Sequence, residues 1–255
     1  TQQMCAEPFF RDVVWQHCAF LDSGTSADQF DLTIHPNDQM LRHSIKHLQD
    51  ANASFSQYYN VALQQHNAMQ QILRALFPEE ADQLRVLDFA CGYGRLLRFL
   101  THSLPVDNIT ASEIQPEALA FVRDRFGVRA ILSNVDPEAF QPGATFDIIW
   151  VASLFSHLPE KLFGQWLERL TQCLTPQGIL CFSAHDACLL PAGTTMPESG
   201  IHYRPFSENP DLDGGSYGTT FVTEDYVRRS IATACGPNRH VFLIPRGLAH
   251  EQDLY

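Results

Sequence analysis

Val86-Leu87-Asp88-Phe89-Ala90-Cys91-Gly92-Tyr93-Gly94-Arg95-Leu96-Leu97 is the stretch on which the reading of this chain turns. An apolar run ends on an acid, two glycines come next with one residue between them, and an amphipathic segment begins at once. The pattern reads as a buried strand, a tight turn and a helix. Glycine at 92 and 94 permits backbone conformations that other residues resist and lets a ligand approach the main chain closely. The first turn of the next helix would add N–H groups without partners inside the helix. In an α/β sheet, a turn of this kind lies at the carboxyl ends of the strands, where nucleotides bind.

The residues after the glycines narrow the identity of the nucleotide. A dinucleotide fingerprint requires a third small residue three positions after the second glycine, and Leu97 stands there. A nicotinamide or flavin therefore fits poorly. The chain has no G-x-x-x-x-G-K followed by Ser or Thr, which disfavours a nucleoside triphosphate. Asn108 to Ile114 reads as a second strand that ends on Glu113, about 20 residues past the glycines, where a carboxylate can accept ribose hydroxyls. Pro116 to Phe126 then reads as a helix with Leu119, Val122 and Phe126 on one face, stopped by Gly127. Val128–Leu132, Phe146–Val151 and Gly178–Ser183 read as strands three, four and five.

Asp88 to Gly94 resembles the D-x-G/A-x-G-x-G loop of the class I S-adenosylmethionine-dependent methyltransferases, with Ala90 in place of the first glycine. The resemblance runs from about Val86 to Ser183, with a weaker echo to Tyr255. It implies an α/β fold: a seven-stranded Rossmann-like methyltransferase sheet with helices on both faces and an N-terminal helical extension. Residues 1–80 would form an N-terminal arm and helical cap, and 81–255 the methyltransferase domain. It also implies S-adenosyl-L-methionine as cofactor. Asp88, Ala90, Gly92 and Gly94 would supply the turn, and Glu113 with Ile114 the ribose side. Asn134 and Val135 would meet the adenine, Asn134 at its amino group. Val151 and Ala152 would open the post-strand loop beside the methionine end, and Tyr59, beside Tyr58, would supply an aromatic from the preceding helix.

Composition excludes several functions. A net charge of -12 with only 17 basic residues and no Lys/Arg run disfavours phosphate backbones and anionic membrane surfaces alike. No apolar segment approaches the roughly 20 residues needed to span a bilayer. No signal peptide is visible. The seven cysteines are scattered, without a C-x-x-C or Cys/His cluster, so no metal is expected and a reducing cytoplasm is the expected location. The His43/His47 pair has helical spacing but no third ligand. Because the chain begins at Thr1, a processed start and an excised domain of a larger protein both stay open.

Outside the nucleotide turn, Thr1 to His35 lacks periodicity and reads as a partly ordered arm, and helices begin from Asp38. Phe55, Tyr59, Ala62, His66, Met69, Leu73 and Leu76 form an amphipathic stripe ending at Pro78. A second helix, Pro159 to Leu174, carries Phe163, Trp166, Leu167 and Leu170. Residues 186–218, rich in Gly, Pro, Ser and Asp, read as a substrate-side insertion, in which His202, Tyr203 and Arg204 could meet an acidic acceptor. Thr223 caps a further helix, and Val241–Ile244 with Asp253–Tyr255 read as the terminal hairpin.

The acceptor chemistry is narrowed by absences. Val151-Ala152-Ser153-Leu154 stands where an N/D-P-P-Y motif would come after the fourth strand, no Pro-Cys nucleophile is present, and no metal-binding acid lies just past that strand. His157, in Ser156-His157-Leu158, and His185, beside Asp186, are the candidate catalytic residues, since imidazole suits proton removal near neutrality. Arg95 reads as local structure. The expected activity is methyl transfer to oxygen or nitrogen of a small-molecule or sugar-like acceptor. The alternative is a non-catalytic module that keeps the fold, regulatory or part of a larger multidomain protein.

Overall fold

Asp38 opens the helical part of the chain as the sequence predicts. The computed structural model describes residues 31–79, 83–206 and 212–255, so most of the expected N-terminal arm lies outside the described residues. The Asp38 carboxylate accepts the N–H groups of Met40 and Leu41 and caps α1 (Gln39–Leu48). Asp50 caps α2 (Ala51–Leu76) through the Ala53 N–H at 2.8 Å. The stripe on α2 buries Phe55, Tyr59, Ala62, His66, Met69 and Leu73, while Leu76 at its end stays exposed.

Two compact units interleave along the chain. The first runs to Leu84 and resumes over Cys91–Leu132. In it, β2 (Ile109–Glu113) and β3 (Arg129–Leu132) pair in parallel, with Glu113 opposite Leu132, and α4 (Pro116–Phe126) connects them. Proline at the first helical position and Gly127 at φ 68° bound α4 as the sequence predicts. The segment after the glycines is shorter than expected: its helix, α3, covers only Leu97–Leu100.

α3 buries a cation. Arg98 is 1% exposed, and its guanidinium donates to the carbonyls of Asp31 (3.4 Å) and Thr33 (3.3 Å) and to the Tyr58 hydroxyl (3.2 Å). It also lies 5.3 Å from the Tyr58 ring centroid and 5.6 Å from that of Tyr59. Tyr58 in turn donates to Asp38 at 2.6 Å, and the Tyr59 hydroxyl donates to the Leu32 carbonyl. A buried charge is tolerated when it is paired and hydrogen-bonded. Here the network straps residues 31–38 onto α2.

The second unit comprises Arg85–Ala90 and Ser133–Tyr255. β1 (Val86–Phe89) pairs in parallel with β4 (Phe146–Val151), with Asp88 opposite Trp150. β4 pairs in parallel with β5 (Leu174–Asp186), and α5 (Glu160–Gln172) joins the two. Phe89, Phe140 and Trp166 pack together, Phe89 lying 4.8 Å from Trp166 by ring centroids. β5 starts earlier than the sequence suggests. Its register against β4 jumps from Phe146–Leu174 to Ile148–Ile179, so Pro176 and Gly178 fall in a bulge after α5 has ended.

The far end of this unit departs from expectation. The 186–218 stretch is not a plain loop: it contains β6 (Ile201–Arg204), which pairs antiparallel with β7 (Thr219–Val222). The terminal hairpin is β8 (Ile244–Leu248) with β9 (Gln252–Leu254), displaced from the predicted Val241–Ile244 strand. Ala249 and His250 both have positive φ, 55° and 60°, and the Glu251 N–H closes on the Leu248 carbonyl. Two left-handed residues thus make the turn without the glycine or asparagine by which such turns are recognised. Nine strands occur among the described residues, roughly consistent with the seven-stranded expectation. Thr223 caps α6 (Glu224–Cys235) as predicted.

β7 occupies a particular place. β4 flanks β5 up to the Val151–Phe182 pair and then leaves. The opposite edge of β5 is taken by β9, with Phe182 and Tyr255 exchanging both backbone hydrogen bonds. β7 pairs with His185 and Asp186 on the edge that β4 vacates. It also bonds the loop after β4, through Gly218 N–H to His157 O (2.8 Å) and Thr220 N–H to Ser156 O (2.8 Å).

His66 gives the first unit a testable pH response. Its ring is fully buried, with Nε2 2.8 Å from the Ser103 hydroxyl, and burial, aided by Arg74 and His102, pushes its pKa down to about 4. The folded value lies below the unfolded one, so the unfolded chain binds the extra proton between them. Stability is then full above about pH 6.5 and falls toward pH 4, by at most about 1.4 kcal/mol per pH unit. Urea unfolding across that range should show the slope in the native protein and a shallower one in His66→Gln.

Candidate functional site

The turn after β1 carries three left-handed positions in five residues: Ala90 at φ 58°, Gly92 at 55° and Gly94 at 74°. Alanine at 90 bears a strain that glycine would not, about 1–2 kcal/mol. The turn is closed by Cys91 N–H to Ser112 O (3.1 Å) and Gly94 N–H to Cys91 O (3.1 Å). With α3 only four residues long, the donors here belong to the turn and not to a helix N-terminus.

Glu113 organises this turn. It is 7% exposed, and its Oε2 accepts the Gly92 N–H at 2.8 Å. Its Oε1 accepts the N–H groups of Ile114 (2.8 Å) and Gln115 (3.1 Å). Burial raises its pKa, while these three N–H groups oppose the rise by holding the charged form. A carboxylate offers about four acceptor positions. Three are taken, so accepting two ribose hydroxyls would require one backbone N–H to be given up.

The two glycines have different surroundings. A Cβ on Gly94 would lie 2.5 Å from a Phe126 ring carbon and 3.0 Å from Val122, whereas a Cβ on Gly92 meets nothing within 4 Å. Gly94 is thus required by packing against α4, and Gly92 borders open space. His35 stacks on Tyr93 at 4.6 Å between ring centroids, and the Tyr93 hydroxyl donates to Glu117 at 2.8 Å, an aromatic contact beside the turn that no sequence signal marks.

Tyr58 and Tyr59 stand next to each other on α2. Both are buried, and their hydroxyls are committed to Leu32 and Asp38.

In the second unit, Asp88 is buried on β1 and Val151 is buried as the last residue of β4. Ala152, next in the chain, is half-buried. Asn134 and Val135 are exposed, and the Asn134 side-chain oxygen accepts the Asp136 N–H at 3.0 Å.

His157 and His185 come together, with ring centroids 6.2 Å apart. His157 Nδ1 lies 2.6 Å from the Gly218 carbonyl, and its ring stacks on Tyr217 at 4.5 Å. His185 Nδ1 lies 3.3 Å from the Thr220 carbonyl, and its ring stacks on Phe221. A carbonyl only accepts, so each Nδ1 carries a proton and the lone pair of the neutral ring falls on Nε2. β7 and the residue before it thereby set the tautomer of both imidazoles. Tyr217 carries no mark in the sequence because its stretch reads as loop. Of the insertion residues, Arg204 is exposed, and the Tyr203 hydroxyl donates to the Gly214 carbonyl at 2.6 Å. No group of three or more His, Cys, Asp or Glu residues suited to a metal occurs among the described residues, and none of their helices is long and apolar enough to cross a membrane.

Comparison with known proteins agrees with this architecture. Residues 86–178 match the family described as methyltransferase domain. Over these residues the chain is similar to that family, and its α/β fold is Rossmann-like. A malonyl-[acyl-carrier protein] O-methyltransferase of Bacillus cereus is 28% identical over 139 residues, which cover 54% of this chain and 51% of the relative. The chain thus spans about half the length of the curated relatives it matches. Among solved structures, a sugar N-methyltransferase from Streptoalloteichus aligns with a TM-score of 0.53 at 14% identity, covering 74% of this chain and 85% of that one. A SAM-bound amino pentose methyltransferase from Micromonospora echinaspora aligns with a TM-score of 0.52 at 16% identity, covering 74% and 88%. At such identities the structures establish the fold alone.

The contrast between the glycines can be measured. Gly92→Ala should fold and lose about 1–2 kcal/mol, the left-handed penalty of a residue with a Cβ. Gly94→Ala adds a clash with Phe126 and should lose clearly more, about 2–4 kcal/mol in denaturant unfolding. Equal losses would contradict the packing role of Gly94.

Proposed function

We propose that this chain is an S-adenosyl-L-methionine-dependent methyltransferase that transfers the methyl group to oxygen or nitrogen of a small, sugar-like acceptor. The observation that carries the reading is the Glu113 carboxylate bound to the Gly92 N–H inside a turn with three left-handed residues. A ligand can approach the main chain at Gly92, where a Cβ would meet nothing within 4 Å, and the carboxylate keeps one acceptor position for a hydroxyl. The matched family and the fold of the neighbours support it.

In this reading Asp88, Ala90, Gly92 and Gly94 shape the cofactor turn, and Glu113 with Ile114 holds the ribose. Asn134 and Val135 take the adenine, and Val151 with Ala152 line the methionine end. Tyr59 acts indirectly, by anchoring residue 32 against α2. The cofactor supplies an activated methyl group when bound, so the protein's main task is to align the acceptor and exclude water. His157 and His185 are the candidate bases, each with its Nε2 lone pair defined by the carbonyls of Gly218 and Thr220. A hydroxyl acceptor would give its proton to one of them, while an amine bound in its neutral form needs none. A nucleic-acid acceptor is disfavoured by the net charge of -12. The same proposal covers a whole enzyme and one domain of a longer protein.

Calorimetry tests the cofactor half. S-adenosylhomocysteine should bind and NADH should not, and Glu113→Ala should weaken S-adenosylhomocysteine by about 1.5–3 kcal/mol, the scale of hydrogen bonds to a charged group. Binding of NADH alone would overturn the assignment. Substitution of the histidines tests the acceptor half. With a hydroxyl acceptor, His157→Ala or His185→Ala should lower turnover by about 10²–10⁴-fold at nearly constant cofactor affinity. Unchanged turnover in both variants would remove them from the chemistry.

A further inference from the structure

Ser153, the second residue after β4, has φ 61°, a left-handed conformation that is costly for a serine. Every polar group it has is engaged. Its N–H donates to Ser183 Oγ at 2.8 Å, its carbonyl accepts from Ser156 Oγ at 2.8 Å, and its own Oγ accepts from Gln252 Nε2 at 3.1 Å. Ser183 Oγ then donates to Gln252 Oε1 at 2.6 Å. The bonds close a ring that leaves Ser153 by its N–H, passes through Ser183 on β5 and Gln252 on β9, and returns to the Ser153 hydroxyl. Ser183 is fully buried and Gln252 is 7% exposed, so these polar groups would each be costly without their partners.

We infer that Gln252 is a positioning residue: through this ring the terminal hairpin holds the turn after β4 in its left-handed form. Gln252 is also the residue opposite His185 in the β5–β9 register, so one residue links the post-β4 turn with the strand bearing the second histidine. The ring fixes the turn from the β9 edge, while Gly218 and Thr220 fix its far end at Ser156 and His157. A turn held at both ends has one conformation in which to meet a ligand, which lowers the ordering cost of binding. The inference rests on the methyltransferase reading where it concerns cofactor, because Val151 and Ala152 precede the clamped residue.

The test exploits the conformational freedom of glycine, which occupies φ near 60° without a clamp. Gln252→Ala should speed hydrogen exchange of the Ser153 amide at least about tenfold. It should weaken S-adenosylhomocysteine by about five- to tenfold, the scale of one left-handed strain released. Adding Ser153→Gly should restore the affinity to within about twofold, and Ser153→Gly alone should bind like the native protein. Loss of affinity that Ser153→Gly does not restore would assign Gln252 to general hairpin packing and overturn the inference, as would unchanged affinity in folded Gln252→Ala. Should Gln252→Ala fail to fold, Ser183→Ala breaks the same ring and carries the same expectations. Should the native protein bind no S-adenosylhomocysteine, the cofactor reading falls, and the clamp is then judged by exchange alone: an unaltered Ser153 amide in Gln252→Ala overturns it.

Discussion

Glu113 gathers the N–H groups of Gly92, Ile114 and Gln115 onto one buried carboxylate. The first bond reaches back to the turn after β1, and the other two set the entrance to α4, where Pro116 has no N–H to give. Removing the side chain would leave three donors without their acceptor, each worth about 1–3 kcal/mol if left unmade. The turn depends on α4 as well, because Gly94 sits against Phe126 with no room for a Cβ. Carboxylate, turn and helix therefore specify one another, and Gly92 borders open space.

The second unit is arranged around a strand exchange on β5. Where β4 ends, β7 takes its place, and the carbonyls of Gly218 and Thr220 hold the Nδ1 atoms of His157 and His185. The Nδ1 atoms are thus held by backbone, whose positions are set by sheet register, while Tyr217 and Phe221 stack on the rings. On the opposite edge, β9 supplies Gln252 to the turn after β4. Both edges of β5 serve the same short loop. The setting of the two histidines accordingly depends on residues far apart in the chain, from Ser153 to Gln252.

Much of this is legible in the sequence, and the reasons are local. β1, β4 and α4 fall within the expected bounds because apolar runs, Pro116 and Gly127 act through nearest neighbours. The Asp88–Gly94 turn and Glu113 stand out because their spacing reflects strand and crossover lengths. The misses have long-range or unsignalled causes. β6 and β7 are short, β6 paired only with β7 and β7 also with β5 and the loop after β4, which composition rich in Gly, Pro and Ser conceals. β8 is displaced from its expected place because Ala249 and His250 adopt left-handed conformations without glycine or asparagine. Tyr59 is buried as its periodicity predicts, but no pattern shows that its hydroxyl ends on Leu32. The Ser153–Ser183–Gln252 ring joins three polar residues with no motif among them.

The central claim is that the turn around Gly92, organised by Glu113, receives the adenosine cofactor. Titrating ¹⁵N-labelled protein with S-adenosylhomocysteine while monitoring the Gly92 amide addresses it most directly. The account predicts that this amide shifts and saturates at one equivalent, with the neighbouring Cys91 and Gly94 amides moving alongside. A Gly92 amide that stays in place while the ligand binds, or one that responds instead to NADH, would contradict it.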